Sequence, residues 1–234
     1  MRFAVDTGGT FTDLVMEDDR GVLHMFKAAT TPEDPVRGIL DVVAIAAEGF
    51  SFTVEELLSH GELFIHGTTH AINAIITGNT ARTAFLTTKG HPDVLVLREG
   101  GRIEPFNFLA PFPKPYIPRA LTFEVHERIT SEGDVICPLD EKAAIDIIAN
   151  LRALQVESVG VCLLWSTVNP AHEDRLGELL EEHLPGVPYT LSHILNPILR
   201  EYRRASSVCI DASLKPLMNR YLGGLSGRLA GAGF

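Results

Sequence analysis

Eight consecutive positions hold two aspartates, three threonines and two glycines: Asp6, Thr7, Gly8, Gly9, Thr10, Phe11, Thr12 and Asp13. Glycines at the tip of a turn leave backbone N–H groups unobstructed, and such amides can cradle phosphate oxygens. Thr7, Thr10 and Thr12 add hydroxyls at the same spot. Asp6 and Asp13 have the chemistry to hold a hydrated magnesium ion, which takes oxygen ligands and keeps several waters. A Gly-Gly turn between apolar runs is also an ordinary hairpin corner, but a plain corner needs neither the hydroxyls nor the carboxylates. The second concentration is His66, Gly67, Thr68 and Thr69, with Asn73 one helical turn later. Thr68 and Thr69 suit the cap of a helix or contact with a phosphate or substrate, since helix N-termini serve both. Asn73 then faces the same side as polar lining.

Other polar residues read as structural. His70, His91 and His172 are scattered, whereas a zinc site needs ligands that converge, so no zinc is expected. Glu127-Arg128 reads as a surface ion pair, worth little energetically. Arg200, Glu201 and Arg204 share one helical face, which reads as a solvated charged face. Trp165 reads as core. Cys137, Cys162 and Cys209 are odd in number and far apart, fitting neither a metal knuckle nor a disulfide framework.

The elements that must position these residues follow from periodicity and punctuation. Apolar runs at 3–5 and 14–16 flank the Gly-Gly turn as two strands of a hairpin, and 22–28 adds a third antiparallel strand. Asp34-Pro35 looks like an N-cap followed by proline at the first helical position. Val36, Ile39, Leu40, Val43 and Ala47 follow at helical spacing, and Thr53 starts a short second helix. Residues 63–65 read as a buried strand delivering His66 to Thr69, and 70–77 as a helix closed by Gly78-Asn79. A strand over 83–87 and a short helix through 95 come next. From 98 to 118, five prolines and four aromatics break every period, which makes a long irregular loop, ordered by its aromatics. Strand character returns at 121–129 and 135–136. Asp140 caps a helix, 158–164 is the most buried-looking strand, Asn169-Pro170 opens another helix, and 188–192 is a short strand. This alternation predicts a parallel α/β sheet. Residues 196–229 look helical, kinked or split at Pro216. The Gly-rich end at 231–234 looks unpacked.

At 234 residues the chain makes one large domain or two small ones, and 45% hydrophobic residues suffice for a core. A formal net charge of −10 argues against nucleic acid or an anionic membrane as the main partner. No apolar run approaches the ~20 residues of a membrane span, and no signal segment opens the chain. A cytoplasmic protein with reduced thiols is expected.

The ordered set of motifs resembles the hydantoinase A / 5-oxoprolinase family, which includes acetone and acetophenone carboxylase subunits. The resemblance is carried by Val5 to Asp13, by His66-Gly67-Thr68-Thr69 with Asn73, and by Thr88-Lys89-Gly90 with Asp93-Val94-Leu95. It continues through Glu127-Arg128-Ile129, Pro138-Leu139-Asp140, Asn169-Pro170-Ala171-His172-Glu173, and Arg200-Glu201-Tyr202 with Arg204. It covers nearly the whole chain, in order. It implies a mixed α/β lobe of the actin/Hsp70/sugar-kinase-like (RNase H-like) fold, in which two lobes clamp ATP and magnesium. It implies an ATP-dependent enzyme that phosphorylates an unreactive oxygen of a small-molecule substrate, either a cyclic amide that water then opens or the enol of a ketone to be carboxylated. On that basis Asp6, Asp13, Thr68 and Asn73 take catalytic places, with Asp6 and Asp13 on Mg2+. Thr7, Gly8, Gly9, Thr10, Thr12, Gly67 and Thr69 take nucleotide-binding ones. Residues 1–234 would be the N-terminal lobe, with a companion chain of a hetero-oligomer supplying the second ATP-binding lobe. A sugar-kinase-like phosphotransferase and a non-catalytic structural lobe are the alternatives. Asp211 stands where the family often has Asn. Arg98-Glu99-Gly100-Gly101-Arg102 leans toward the acetophenone-carboxylase side.

Overall fold

The computed structural model describes residues 1–31, 34–100, 104 and 106–234. They divide into two compact units, Met1–Asn79 with Leu217–Phe234, and Thr80–Pro216. Gly101, Arg102 and Pro105, used above for the family leaning and the proline-rich loop, lie outside the described residues.

In the first unit, β1 (Arg2–Thr7), β2 (Phe11–Glu17) and β3 (Leu23–Ala29) form an antiparallel meander. β4 (Leu63–Thr68) pairs parallel with β1, giving the order β3-β2-β1-β4. Side chains alternate between faces, so Phe3, Val5, Leu14 and Met16 are buried together. The helix α1 (Pro35–Gly49) covers that face with Val36, Ile39, Val42, Val43, Ala46 and Ala47. α2 (Val54–Ser59) adds Leu57 and Leu58. Its start is fixed by a capping box: Glu56 N–H donates to Thr53 Oγ1 at 3.1 Å, and Thr53 N–H to the Glu56 carboxylate at 2.7 Å. Such a cap contributes about 1 kcal/mol. Asp34 precedes Pro35 as expected, but its side chain caps nothing and its carboxylate meets Arg228 at 2.7 Å. α3 (His70–Thr77) follows β4 and stops at Gly78, whose φ of 70° is the left-handed conformation that ends helices.

Two expectations fail in this unit. Residues 63–65 are not a buried strand: β4 is at the sheet edge, and Leu63 and Ile65 are 45% and 55% exposed on the uncovered face. The chain end is packed, not loose. The Phe234 ring lies edge-on to Phe64 at 5.6 Å and to Phe3 at 6.3 Å, and its N–H donates to Leu229 O. Three aromatic rings outweigh the flexibility of the glycines before them.

In the second unit β5 (Thr83–Thr88) is followed by α4 (Val94–Leu97), the irregular segment, a 3-10 turn at Arg119–Leu121 and β6 (Thr122–Val125). β7 (Arg128–Ile129) and β8 (Val135–Cys137) make a small antiparallel ribbon. Then come α5 (Glu141–Ala153), β9 (Ser158–Cys162), α6 (Ala171–His183), β10 (Tyr189–Leu191) and α7 (Ser192–Leu195). The main sheet is parallel throughout, in the order β10-β9-β5-β6. Every residue of β5 and β9 is buried, as expected of central strands covered on both faces. One face packs Leu86, Val159 and Val161 against α5 and α6. The other packs Phe85 and Cys162 against Ala205 and Cys209 of α8 (Glu201–Gly231). Asp140 caps α5 through Ala143 N–H at 3.0 Å. The irregular segment is anchored at its far end, where Ile117 is buried and Tyr116 Oη meets Ser213 Oγ at 2.8 Å.

Of the expected kink or split at Pro216, the split does not occur: α8 is one helix through it, although an interior proline removes one N–H donor. The unit boundary falls just after it. Among the described residues no helix is long and apolar enough to cross a membrane.

Candidate functional site

β1 and β4 run parallel and end side by side, with Thr7 in register with Thr68. The Gly8-Gly9 turn leaves one strand and the first turn of α3 leaves the other. Between them lies a cleft of about 340 Å³, lined by Thr7, Gly8, Gly9, Thr68, Thr69 and Asn73 among others. Six residues singled out in two distant stretches of sequence thus share one cavity. Gly8 N–H donates to Phe11 O at 3.0 Å, closing the turn. Gly9 faces open space, where a Cβ would meet nothing within 4 Å. Thr68 Oγ1 accepts from His70 N–H at 3.1 Å, and Thr69 Oγ1 accepts from Asn73 Nδ2 at 3.3 Å. Thr69 holds the N-cap position of α3 without a side-chain cap bond, and both threonines line the cleft wall.

Thr7 is 3% exposed, lines the cleft, and its hydroxyl has no hydrogen-bond partner among the described residues. A buried, unpaired hydroxyl is costly unless a ligand completes it. The other predicted residues are placed differently. Thr12 is fully buried and its hydroxyl is bonded to Thr30 Oγ1 at 2.9 Å, while Thr10 O accepts from Thr30 N–H. Asp6 and Asp13 are in register across β1 and β2. By strand alternation their side chains leave on the sheet face opposite to Thr7 and Thr12, so the carboxylates and the hydroxyls flank the turn from two sides. Gly67 is beside Asp6, and a Cβ there would come 3.2 Å from Asp6 Oδ1. The absence of a side chain keeps that carboxylate open. Asp13 pairs with Lys27 at 2.9 Å, and the Lys27 ammonium lies 4.6 Å from the centre of the Phe11 ring. Lys27 offsets the repulsion of two carboxylates held opposite each other.

Sequence reasoning missed Thr30, Pro35, His70 and Thr77, which complete the cleft. Thr30 was legible in principle, because the β2–β3 pairing sets Ala29 opposite Phe11 and carries the next residue to the turn. A second omission had no local signal. Tyr221 Oη meets His66 Nε2 at 2.6 Å, and its ring lies 5.1 Å from that of His70. It sits beside Thr68 and Thr7 without reaching hydrogen-bond geometry to Thr7 Oγ1. Burial lowers the His66 pKa, favouring the neutral ring, and raises that of Tyr221.

In the second unit the motif residues Thr88, Glu127, His172, Glu173 and Arg204 make a buried polar network. Glu127 is not in a surface pair: it is 2% exposed, accepts from the Thr88 hydroxyl, and meets His172 Nδ1 at 2.8 Å. Thr88 Oγ1 in turn accepts from Leu164 N–H at 3.0 Å, tying the ends of β5 and β9. Arg204 is not on a solvated face: it is 1% exposed and donates to Leu163 O at 2.8 Å and Ile198 O at 3.0 Å. Helical spacing could not say which of these residues turns inward: Arg204 does, whereas Arg200 lies before α8, is exposed and faces Glu99 at 3.8 Å. Glu173 accepts from Leu163 N–H at 2.8 Å, Ser192 Oγ at 2.6 Å and His193 Nδ1 at 2.7 Å. Burial pushes the Glu173 carboxyl up, but these hydrogen bonds outweigh it and hold the pKa below the usual 4.5. The same bond raises His193 above 6.5. Cys162, buried beneath, is pushed up to about 12 and is inert as a nucleophile. Asp211 accepts from Thr190 Oγ1 at 2.6 Å.

Comparison with known proteins matches residues 2–184 to the hydantoinase/oxoprolinase N-terminal region. The caprolactamase alpha subunit of Pseudomonas jessenii is 36% identical over 223 residues, spanning 94% of this chain and 32% of the relative. The acetophenone carboxylase gamma subunit of Aromatoleum aromaticum is 35% identical, spanning 98% and 33%. The crystal structure of the ATP-dependent caprolactamase from Pseudomonas jessenii superposes with a TM-score of 0.90 at 34% identity, covering 100% of this chain and 34% of that one. The chain spans about a third of the length of the curated relatives it matches.

Proposed function

Because the chain belongs to the hydantoinase/oxoprolinase family, we propose that these residues are the N-terminal part of an ATP-dependent enzyme that phosphorylates a carbonyl or enol oxygen of a small molecule, a cyclic amide or a ketone. The unreactive oxygen becomes a phosphate leaving group, so water can open a ring or a carboxylate can be added. ATP supplies the phosphoryl group, with magnesium neutralising its charge. Residues 1–234 serve as the N-terminal lobe, of the actin/Hsp70/sugar-kinase-like (RNase H-like) kind. The rest of the nucleotide site comes from polypeptide beyond these 234 residues, in the same or a companion chain.

The observation that carries this is the Thr7 hydroxyl, buried, unpaired and lining the cleft beside the open Gly8-Gly9 turn. The donor set fits terminal phosphates: hydroxyls of Thr7, Thr68 and Thr69, the amide of Gly9, and the first turn of α3, whose dipole favours anions. Thr10 flanks the same turn, and Thr12 braces it through Thr30. Asp6, kept open by Gly67, and Asp13, shared with Lys27, have the oxygen chemistry a magnesium ion takes. Asn73 orients Thr69 at the cleft wall. The chemistry then rests on positioning and charge neutralisation.

Two measurements test this. In the full-length enzyme, Asp6→Ala should lower turnover by at least about a hundredfold, the scale of losing one charge-stabilising group, with little change in melting temperature. Wild-type rates would remove Asp6 from the mechanism. A structure with a non-hydrolysable ATP analogue should put the terminal phosphates on the Gly8-Gly9 turn; phosphates bound elsewhere would refute the assignment.

A further inference from the structure

The second unit carries a cavity that the phosphate cleft does not explain. Its parallel sheet has the order β10-β9-β5-β6. From β5 the chain goes to one side to form β6, then returns to lay β9 and β10 on the other. Strand order therefore reverses between β5 and β9. In open α/β sheets the crevice outside the carboxyl ends of the strands at such a reversal is where ligands bind. Thr87, in register with Cys162 at the end of β9, and Leu164, just beyond it, both line a cavity of about 230 Å³ at that point. The bonds from Leu164 N–H to Thr88 Oγ1 and from Thr88 to Glu127 hold the ends of β5 and β9 beside it.

The wall is apolar on one side, from Val94, Leu97 and Leu164, and charged at Arg98 and Glu201. Other charges at the cavity are committed: His91 Nε2 meets Arg128 at 3.1 Å, and Asp93 pairs with Arg119 at 3.5 Å. Among the described residues the Arg98 guanidinium and the Glu201 carboxylate have no ion-pair partner, and they do not pair with each other. Arg98 is also held at φ 55°, ψ −135°, a conformation rare for a residue with a side chain and worth examining wherever it occurs. Among the described residues a cation and an anion without ion-pair partners therefore line the same cavity as the apolar Val94, Leu97 and Leu164, a set complementary to a molecule with both charges and a hydrocarbon body.

We propose that this crevice binds a small amino acid, its carboxylate on Arg98, its ammonium on Glu201 and its hydrocarbon part against Leu97 and Leu164. This does not depend on the phosphate cleft, and either assignment can fail alone. The test titrates the 234-residue chain with three matched probes: L-leucine, 4-methylpentanoate, which lacks the ammonium, and 3-methylbutylamine, which lacks the carboxylate. Leucine should bind roughly ten- to a hundredfold more tightly than either truncated probe, the scale of one charge-assisted hydrogen bond. NMR shifts should centre on Thr87, Leu97 and Leu164. Arg98→Gln should abolish the preference over 3-methylbutylamine, and Glu201→Gln the preference over 4-methylpentanoate. Both side chains reach solvent, so both variants should fold, which circular dichroism checks. Three outcomes overturn the proposal: no binding of leucine at millimolar concentration, equal binding of the truncated probes to the wild type, or shifts centred on Thr7 and Thr68.

Discussion

Two threonines, each almost fully buried and each closing a strand, make an instructive pair. The Thr88 hydroxyl in the second unit is bonded on both sides, to Glu127 and to the Leu164 amide. The Thr7 hydroxyl in the first unit has no bond among the described residues and lines a cleft. Around Thr88 the carboxylates of Glu127 and Glu173 are held by His172, His193 and Ser192, with Arg204 bonded to Ser192 and the Leu163 carbonyl. Beside Thr7 the turn is open at Gly9, where a Cβ would meet nothing within 4 Å. Completed bonding marks a polar group used to hold the fold; a buried hydroxyl left unpaired beside a cleft is a candidate for ligand contact. The family motifs contribute to both, so membership in a motif does not tell a site from a strut.

The comparison breaks most visibly if the network is cut. Glu173→Ala would leave His193, Ser192 and the Leu163 amide without their acceptor. Breaking a buried ion pair by deleting one partner costs about 3–5 kcal/mol. Urea denaturation should therefore show a large loss of stability in the second unit, with nucleotide binding at the first unit changed less. An unchanged midpoint would mean the network is ornamental.

A pH series sharpens the same contrast. Glu173 is held below its usual 4.5, so its contribution is present above that value and is lost as pH falls through the lowered folded pKa. His193 is raised above 6.5, so its contribution is full below 6.5 and is lost as pH rises through the raised folded pKa. Both operate together between about 4.5 and 6.5, and the second unit should be most stable there. Glu173→Gln should flatten this profile, whereas substitutions at the Gly8-Gly9 cleft should leave its shape alone. A maximum well above pH 7 would contradict the assigned roles of the pair.

Sequence alone resolved much of this contrast, but unevenly. The hairpin, the Thr53 capping box, the Asp140 cap and the all-buried β9 were legible because each depends on neighbours a few residues away. The union of Gly8 and Gly9 with Thr68 and Thr69 could be anticipated only through the family resemblance, since it needs β1 and β4 to pair across more than fifty residues. The burial of Glu127 and Arg204 was not legible at all. Their partners, His172 and Ser192, come from distant elements, and a charged residue on a helix reads as solvated until the element covering it is known. Tyr221 reaching His66 is the same case, as is the edge position of β4, which leaves Leu63 and Ile65 exposed.

The smallest expected effect on stability is the most telling for function. Val has the shape of Thr with a methyl in place of the hydroxyl. At a buried position where the hydroxyl is bonded, Thr→Val costs a hydrogen bond, typically about 1 kcal/mol. At Thr7 there is no bond to lose, and the substitution removes an unsatisfied polar group. Thr7→Val should leave the first unit as stable as the wild type or slightly more so, while Thr88→Val destabilises the second unit. In the full-length enzyme the same Thr7→Val change should weaken nucleotide binding roughly ten- to a hundredfold, because a hydrogen bond to a charged phosphate oxygen is worth about 1.5–3 kcal/mol. A gain or standstill in stability paired with a loss of affinity is the signature of a group kept for its ligand. If Thr7→Val instead lost stability and kept its affinity for nucleotide, Thr7 would belong with Thr88, and the cleft would lose its claim to phosphate.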